Sequence, residues 1–381
     1  MKISFIDLEA QQKRIKTKII NAIKLVLKKN QYILGPEVEI LEKALSQFSG
    51  AKYSITCGNG TDAILLSLMA LNVGKGDIVL CPSFSFAATA EVVPLVGAKP
   101  MFVDVDYNTF NIDLKSLSRC IKYLKSKKLN VVGLISVDLF GMPADYDKIK
   151  KITQKNGLWL ISDAAQSFGA KYKNVSTCIQ ADITTTSFFP SKPLGCYGDG
   201  GAIFTSNKEL AEKILSLRIH GKGKDKYDNE KIGLNSRLDT IQAAILLEKL
   251  KIFPNEIILR QRIAKKYNKA LKRYYDVPII NDQFKSVWAQ YTLKINDTRY
   301  RKKLIEFLKT KKIPSMVYYP KPIHLQKAYL EYLRDPKGLL SSEELSTKVL
   351  SLPMHPYLGD REQNYIINCL LEAKEKNKFK P

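Results

Sequence analysis

The sequence has little histidine, and its cysteines form no recognisable pattern. Three histidines, His220, His324 and His355, leave little material for a metal site or for a catalytic triad built on histidine. The six cysteines are scattered, with no Cys-X-X-Cys pair and no histidine cluster beside them. We therefore expect no metal site and no disulfide framework, with reduced thiols as the default.

Long apolar runs are also missing. No uninterrupted run is long enough to span a bilayer, and the first residues lack the apolar segment and cleavage site of a signal peptide. We therefore expect a cytoplasmic protein with no membrane association. With 381 residues, of which 45% are hydrophobic, the chain is long enough to bury one large core and a second, smaller one.

Acidic residues are scarce beside basic ones, 37 against 61, which gives a formal net charge of +24. This charge raises the question of nucleic-acid binding. However, the lysines are spread over many predicted helices, and there is no zinc finger, RRM signature or basic tail. A basic surface also attracts anionic metabolites such as nucleotide sugars. We expect no nucleic-acid partner and keep a non-catalytic basic binding protein as a distant alternative.

Segments of strand and helix character alternate through the first part of the chain. The predicted strands are residues 53–57, 77–82, 100–105, 131–137 and 158–162. Such alternation predicts an α/β protein with a mostly parallel sheet covered by helices. In this architecture, ligands bind outside the carboxyl ends of the strands.

A domain boundary is predicted near Pro254, after a helix over residues 240–251. Residues 1–252 would form the large domain and residues 253–381 a smaller α+β domain. In the second domain we expect long helices, strands over 287–295 and 313–318, and a final helix from residue 361.

Lys192 stands between a β-prone run and a glycine-rich turn, with aromatic and proline residues around it. Desolvation lowers the pKa of a lysine, and the neutral amine is the form that adds to a carbonyl. Lys192 is therefore our candidate for a Schiff base with an aldehyde cofactor. The alternative is an ordinary surface lysine, which is common in a chain so rich in lysine.

Asp163 follows an apolar predicted strand. An aspartate there is either the N-cap of a helix or the partner of a protonated pyridine nitrogen. Pyridoxal phosphate requires such a partner if its ring is to act as an electron sink. The short interval between Asp163 and Lys192 favours the second use and pyridoxal 5'-phosphate as the cofactor.

A glycine-rich turn, Gly58-Asn59-Gly60-Thr61, opens into an apolar helix. The free amides and the positive dipole at a helix start bind phosphate well, although many helices start in this way. The turn lacks the Walker lysine pattern, and no complete GxGxxG fingerprint follows a strand. A nucleoside triphosphate or a dinucleotide is therefore less favoured than the phosphate of the cofactor.

Taken together, five segments resemble the DegT/DnrJ/StrS-type sugar aminotransferases, a fold-type I family that uses pyridoxal phosphate. The segments are residues 58–63, 163–167, 187–195, 198–201 and 235–239. The resemblance covers nearly the full length of the chain. It implies a large domain with a mostly parallel sheet, a smaller C-terminal α+β domain, and transfer of an amino group from L-glutamate to a nucleotide-linked keto sugar.

The resemblance also implies roles for individual residues. Lys192 would carry the cofactor, and Asp163 would pair with its ring nitrogen. The other cofactor-binding residues that it implies are Gly60, Thr61 and Ser187 at the phosphate, Phe86 stacked on the ring, Gln166 near the phenolic oxygen, and Asn235 reaching the phosphate from a neighbouring subunit. The last of these implies a homodimer with shared active sites. Phe86 stands where family members often carry tyrosine or tryptophan, and core packing is the alternative for it.

Residues 5–8, 32–38, 235–239 and 351–356 resemble most the corresponding segments of members that aminate C3 of the sugar. Among these are enzymes acting on UDP-2-acetamido-2-deoxy-3-oxo-D-glucuronate, a precursor step of O-antigen. Arg237 would suit the C6 carboxylate of that sugar, because a guanidinium matches a carboxylate in two hydrogen bonds. The same arginine occurs in relatives acting on 6-deoxy sugars, so a dTDP- or GDP-linked 3- or 4-keto-6-deoxy sugar stays an alternative. Tyr318 and Tyr319 are further candidates for substrate binding, with packing as an equal alternative. His324 is also a candidate, although a lone histidine in a loop is more often structural.

Overall fold

The computed structural model describes residues 3–225 and 227–375. The helices of this part are α1 (Leu8–Lys29), α2 (Pro36–Ser49), α3 (Gly60–Ala70), α4 (Ala88–Leu95), α5 (Leu114–Ser126), α6 (Tyr146–Lys155), α7 (Lys208–Leu217), α8 (Thr240–Leu271), α9 (Thr298–Thr310), α10 (Leu340–Lys348) and α11 (Asp360–Glu375). The strands are β1 (Tyr53–Cys57), β2 (Asp77–Pro82), β3 (Lys99–Val103), β4 (Asn130–Val137), β5 (Trp159–Asp163), β6 (Lys171–Tyr172), β7 (Val175–Ser176), β8 (Ile183–Ser187), β9 (Gly201–Thr205), β10 (Phe284–Lys285), β11 (Tyr291–Lys294), β12 (Leu333–Arg334) and β13 (Val349–Leu352).

Eight strands form one sheet in the order β1-β9-β8-β5-β4-β2-β3-β12. Pairing is parallel from β12 to β8, and β9 runs antiparallel to both of its neighbours, β8 and β1. The predicted α/β class with a mostly parallel sheet is therefore confirmed.

Helices cover both faces of this sheet, as the alternation of residues along β2 shows. Val79 and Cys81 pack in a core with residues of α3, α4 and α7. Ile78 and Leu80 face the other way and pack with residues of α5 and α6. Because successive side chains of a strand point to opposite faces, a strand covered on both faces is apolar on both, as β2 is from Ile78 onward.

Helix α8 joins two cores. Its first half packs Ala243 and Leu246 in a core with β9, and its second half packs Tyr267 and Leu271 in a core with α9, α11, β11 and β13. The helix continues through Pro254, so the chain does not break where the proline suggested a boundary. The division into domains 1–252 and 253–381 stays a prediction, and residues 1, 2 and 376–381 at their ends lie outside the described residues.

Two predicted strands of the second part require correction. The strand predicted over 287–295 is confined to β11, which pairs with β13. The strand predicted over 313–318 is wrong, since Met316 makes only an isolated bridge with Ser351. Pro314 lacks an N–H donor within that run. Its apolar residues serve packing instead, with Ile313 buried in the second core.

Across residues 3–225 and 227–375, no helix combines the length and apolar character that crossing a bilayer demands.

Candidate active site

A cavity of about 670 Å³ lies at the carboxyl ends of the central strands. Strands β5 and β8 end at its wall with Asp163 and Ser187, and the segment after β1 forms another side. The predicted residues that line the cavity are Gly60, Thr61, Phe86, Asp163, Gln166, Ser187, Lys192, Tyr318 and Tyr319. The rule that ligands bind at the carboxyl ends of parallel strands thus locates a site where these residues meet.

Lys192 lies in the loop between β8 and β9. Its backbone N–H donates to the carbonyl oxygen of Phe189 at 2.8 Å, which closes a tight turn around the lysine. Burial lowers the pKa of Lys192, while the negative charge of Asp163 acts in the opposite direction. The amine is therefore shifted toward the neutral, nucleophilic form, in contrast to an ordinary surface lysine.

Asp163 is the last residue of β5 and is buried. Its Oδ2 accepts a hydrogen bond from the Thr89 hydroxyl at 2.9 Å, and its Oδ1 accepts one from the Ala165 N–H at 3.1 Å. Burial raises the pKa of Asp163, and these bonds together with the charge of Lys192 oppose the shift. No α-helix begins after Asp163, because residues 165–169 form turns, so the N-cap alternative does not apply.

The beginning of α3 packs directly against the end of β8. Asn59 caps the helix by accepting a hydrogen bond from the Asp62 N–H at 2.8 Å. A Cβ atom on Gly60 would lie only 2.6 Å from the Cβ of Ser187, so only glycine allows this approach. The helix start therefore brings Gly60 and Thr61 beside the Ser187 hydroxyl, an arrangement suited to a phosphate.

Phe86 and Gln166 contribute differently to the cavity. The Phe86 side chain is exposed, which argues against the core-packing alternative, and its ring lies 6.5 Å from that of Tyr319. Gln166 is buried, and its Oε1 accepts a hydrogen bond from the Phe140 N–H at 2.7 Å. Its Nε2 donates to the Tyr319 hydroxyl at 3.1 Å. Because burial raises the pKa of Tyr319, that hydroxyl stays protonated at neutral pH.

Three predicted site residues do not line the cavity of their own chain. Asn235 is exposed and Arg237 half-buried; they flank Ser236, whose Oγ accepts a hydrogen bond from the Gly58 N–H at 3.0 Å. His324 is buried, and its two ring nitrogens form hydrogen bonds with Ser83 and Glu343. This position gives no support to a substrate contact by His324, which stays a prediction.

Several residues of the site went unrecognised in the sequence. Thr89, the hydrogen-bond partner of Asp163, lies in the first turn of α4, and no sequence pattern indicates it. Asp62 and Asp199 also line the cavity; they lie within the segments 58–63 and 198–201, but the sequence assigned them no role. Gln290 lines it from the segment before β11, and no sequence pattern pointed to it.

The chemistry of this cavity fits pyridoxal phosphate. The amine of Lys192, with its lowered pKa, suits an aldehyde. The buried carboxylate of Asp163, which has no cationic hydrogen-bond partner among the described residues, suits a ring nitrogen. The start of α3, which excludes any side chain at Gly60, suits a phosphate. When bound, pyridoxal phosphate supplies an electron sink. Together with the mostly parallel sheet, these features define a fold-type I enzyme dependent on pyridoxal phosphate.

Comparison with protein families makes the assignment specific. Residues 13–371 match the model of the DegT/DnrJ/EryC1/StrS aminotransferase family, and the chain belongs to this family. The protein is thus an aminotransferase, and its cofactor is pyridoxal 5'-phosphate.

Individual relatives agree with this assignment. The chain is 48% identical over 358 residues to UDP-2-acetamido-2-deoxy-3-oxo-D-glucuronate aminotransferase of Pseudomonas aeruginosa, covering 93% of this chain and 96% of the relative. A crystal structure of a DegT DnrJ EryC1 StrS aminotransferase from Brucella abortus superposes with a TM-score of 0.96 at 48% identity, over 98% of this chain and 100% of that one. The structure of ntda from Bacillus subtilis with bound cofactor PMP gives a TM-score of 0.89 at 29% identity, over 98% of this chain and 85% of that one.

Proposed function

We propose that this aminotransferase moves the amino group of L-glutamate to C3 of a UDP-linked 3-keto sugar, UDP-2-acetamido-2-deoxy-3-oxo-D-glucuronate. The observation that carries the proposal is the likeness to the Pseudomonas aeruginosa enzyme named for that substrate, which spans nearly both chains. The product would be a diamino sugar for a surface polysaccharide such as O-antigen, made in the cytoplasm.

Lys192 and Asp163 are the proposed catalytic residues. The Lys192 amine would hold the cofactor through its aldehyde carbon and, once released, move a proton at the reacting substrate carbon as general base and acid. Its lowered pKa supports this role, because a group that takes and returns a proton near neutral pH works best with a pKa close to that range. Asp163 would keep the ring nitrogen of the cofactor protonated.

The remaining proposed cofactor contacts are made by residues that line the cavity. Gly60, Thr61 and Ser187 would bind the phosphate, supported by the close approach of α3 to β8. Phe86 would stack on the ring, supported by the exposure of its side chain. Gln166 would lie near the phenolic oxygen, in an orientation held by its bonds to Phe140 and Tyr319.

A homodimer with shared sites is part of the proposal. Asn235 would reach the phosphate, and Arg237 the substrate carboxylate, in the site of the neighbouring subunit. The support is that neither residue lines the cavity of its own chain, although Ser236 between them is bonded to the loop that forms one wall. Tyr318 and Tyr319, which do line the cavity, would contact the sugar from the same chain.

The decisive experiment is an absorbance titration of the purified protein with L-glutamate, followed by a panel of UDP-, dTDP- and GDP-linked keto sugars. We expect glutamate to change the spectrum of the bound cofactor, and the UDP-linked 3-keto sugar to restore it while gaining an amine detectable by mass spectrometry. Lys192→Ala should lose both responses. Restoration by a dTDP- or GDP-linked 6-deoxy sugar, without a response to the UDP sugar, would overturn the substrate assignment.

A further inference from the structure

Lys249 is a fully buried lysine in the middle of α8. Its Nζ donates a hydrogen bond to the carbonyl oxygen of Gly195 at 2.5 Å and lies 4.3 Å from the ring centroid of Tyr197. Neither partner is a carboxylate. Among the described residues, the amine thus makes a hydrogen bond to a peptide carbonyl and a cation–π contact but no ion pair with a carboxylate.

An ammonium taken out of water without a carboxylate partner is costly, and replacing buried charge by an apolar side chain of similar volume is often neutral or stabilising. Burial lowers the pKa of Lys249 to about 8, while Cys196 and Glu256 act in the opposite direction. Burial of the lysine thus carries a desolvation cost that an apolar side chain at this position would not carry.

The hydrogen bond of Lys249 ends in the loop that carries Lys192. Gly195 packs against the segment just before Lys192: a Cβ on this glycine would lie 2.5 Å from the carbonyl oxygen of Pro190 and 2.6 Å from that of Phe189. The carbonyl of Phe189 is also the acceptor that closes the turn of Lys192, at 2.8 Å. A continuous set of contacts therefore runs from Lys249 through Gly195 to Lys192.

Helix α8 holds the same loop at a second point. The Tyr197 N–H donates to Oε1 of Gln242 at 2.8 Å, and Nε2 of Gln242 donates to the Tyr197 carbonyl at 3.3 Å. Of these two attachments, Lys249 is the one that reaches the residue packed on the turn of Lys192. Burial and Asp163 account for the altered pKa of Lys192, so we ascribe to Lys249 an effect on position and none on charge.

We propose that Lys249 is a positioning residue for the reaction, which holds the loop of Lys192 in its productive geometry by bonding to the carbonyl of Gly195. The inference extends the role proposed above for Lys192 and rests on it. It assigns a task to a buried amine that does not line the cavity.

The test compares Lys249→Met with Lys251→Met, a control on the same helix whose side chain is exposed and ion-paired with Glu248. The measurements are the rate of the half-reaction with glutamate, the melting temperature, and hydrogen–deuterium exchange of residues 188–200 in the cofactor-free protein. For Lys249→Met we expect a rate about tenfold lower at an unchanged KM for glutamate. We also expect faster exchange in the loop and a melting temperature that is unchanged or higher. Lys251→Met should match the wild type.

Two further variants complete the design. Lys249→Gln, which keeps a donor for the carbonyl of Gly195, should recover part of the rate and of the exchange protection. Lys249→Leu takes the place of Lys249→Met if the latter does not fold.

A lower melting temperature with wild-type rate and wild-type loop exchange would show a purely structural role and overturn the inference. Lys192→Ala separates this result from failure of the proposed function. If Lys192→Ala is inactive while Lys249→Met behaves as wild type, only the proposed role of Lys249 is refuted. If Lys192→Ala turns over its substrates at the wild-type rate, the proposed roles of both Lys192 and Lys249 are refuted.

Discussion

Burial acts on Lys192 and Asp163 in opposite directions, and in each case it favours the neutral form. For Lys192 this is the reactive form of the amine. For Asp163 it means that the carboxylate benefits from a positive partner, since Thr89 and Ala165 offer only neutral donors. One cavity can therefore hold a nucleophilic amine and a carboxylate ready to pair with a cationic ring nitrogen.

Asp163→Asn tests whether the carboxylate pairs with a cationic ring nitrogen. The amide keeps the shape of the side chain, and its oxygen can still accept from Thr89 or Ala165, but it cannot compensate a positive charge. We expect the half-reaction with glutamate to slow by about 10²-fold or more while the fold is retained, measured by stopped-flow absorbance and circular dichroism. Thr89→Val, which removes one hydrogen bond to the carboxylate, should show a smaller loss. A wild-type rate in Asp163→Asn would rule out the proposed pairing.

His355 gives the protein a pH-dependent stability. The side chain is buried, and burial lowers the pKa of His355 to about 4, with Arg260 acting in the same direction and Asp7 against it. Because the histidine of the unfolded chain titrates near 6.5, the unfolded state binds more protons between about pH 4 and 6.5. Stability is therefore present above this window and is lost as the pH falls through it, by about 3 kcal/mol.

The measurement is urea unfolding of the wild type and of His355→Gln at both ends of that window. We expect the wild type to lose more free energy of unfolding than the variant on acidification. Equal losses in the two proteins would mean that His355 does not carry the effect, because all other titrating groups are shared by both.

At the residue scale, the sequence indicated Lys192 and Asp163 because each stands at a fixed place relative to an apolar strand. It did not indicate Thr89, Gln290 or Lys249. The importance of these three depends on which element packs beside them: α4 brings Thr89 to Asp163, and α8 brings Lys249 to Gly195. Contacts of that kind join positions far apart in the chain and leave no local pattern.

Among the elements, the start of α3 is the one whose fit is tightest. Gly60→Ala would bring a methyl group to 2.6 Å from the Cβ of Ser187 and push the helix start away from β8. We expect the dissociation constant of the cofactor to rise about tenfold or more, measured by fluorescence titration of the cofactor-free protein. Gly74→Ala is the matched control, since its nearest neighbour would be a carbonyl oxygen at 3.9 Å. Equal affinities in the two variants would contradict the phosphate role of this helix start.

The hydrophobic pattern of the sequence predicted a strand or helix well where a single rule decides which of its residues are apolar. Strand β2 is apolar from Ile78 onward because helices cover both of its faces, and it forms over the predicted residues. Prediction failed where tertiary packing overrode a local signal. Pro254 lies inside α8, whose packing in two cores outweighs one missing hydrogen bond. In residues 313–318, Ile313 is buried in the second core and Met316 makes only an isolated bridge, so the run does not pair as a strand.

At the scale of the whole molecule, the active site draws on both parts of the chain. Asp163 at the end of β5 and Lys192 in the loop after β8 come from the carboxyl ends of the central strands. The segments around β11 and residue 318 supply Gln290, Tyr318 and Tyr319. The hydrogen bond from Gln166 to Tyr319 joins these two parts of the chain. A change in how the two parts pack would therefore alter the cavity directly, which explains why the sequence of either part alone does not define the site.

The proposed sharing of sites between subunits can be tested by mixing inactive variants. Lys192→Ala damages the site of its own chain, whereas Asn235→Asp, which would repel a phosphate, damages the site of the neighbour. Subunit exchange between equal amounts makes about half of the dimers hybrid, each with one intact site, so activity should return to about a quarter of the wild-type value. Mixing Lys192→Ala with Asp163→Asn is the control, because both changes affect the same side of the site and no hybrid is intact. If the first mixture stays as inactive as the control, Asn235 serves its own chain or the subunits do not exchange. Native mass spectrometry of the mixture detects the hybrid dimers, and their presence without activity would refute shared sites.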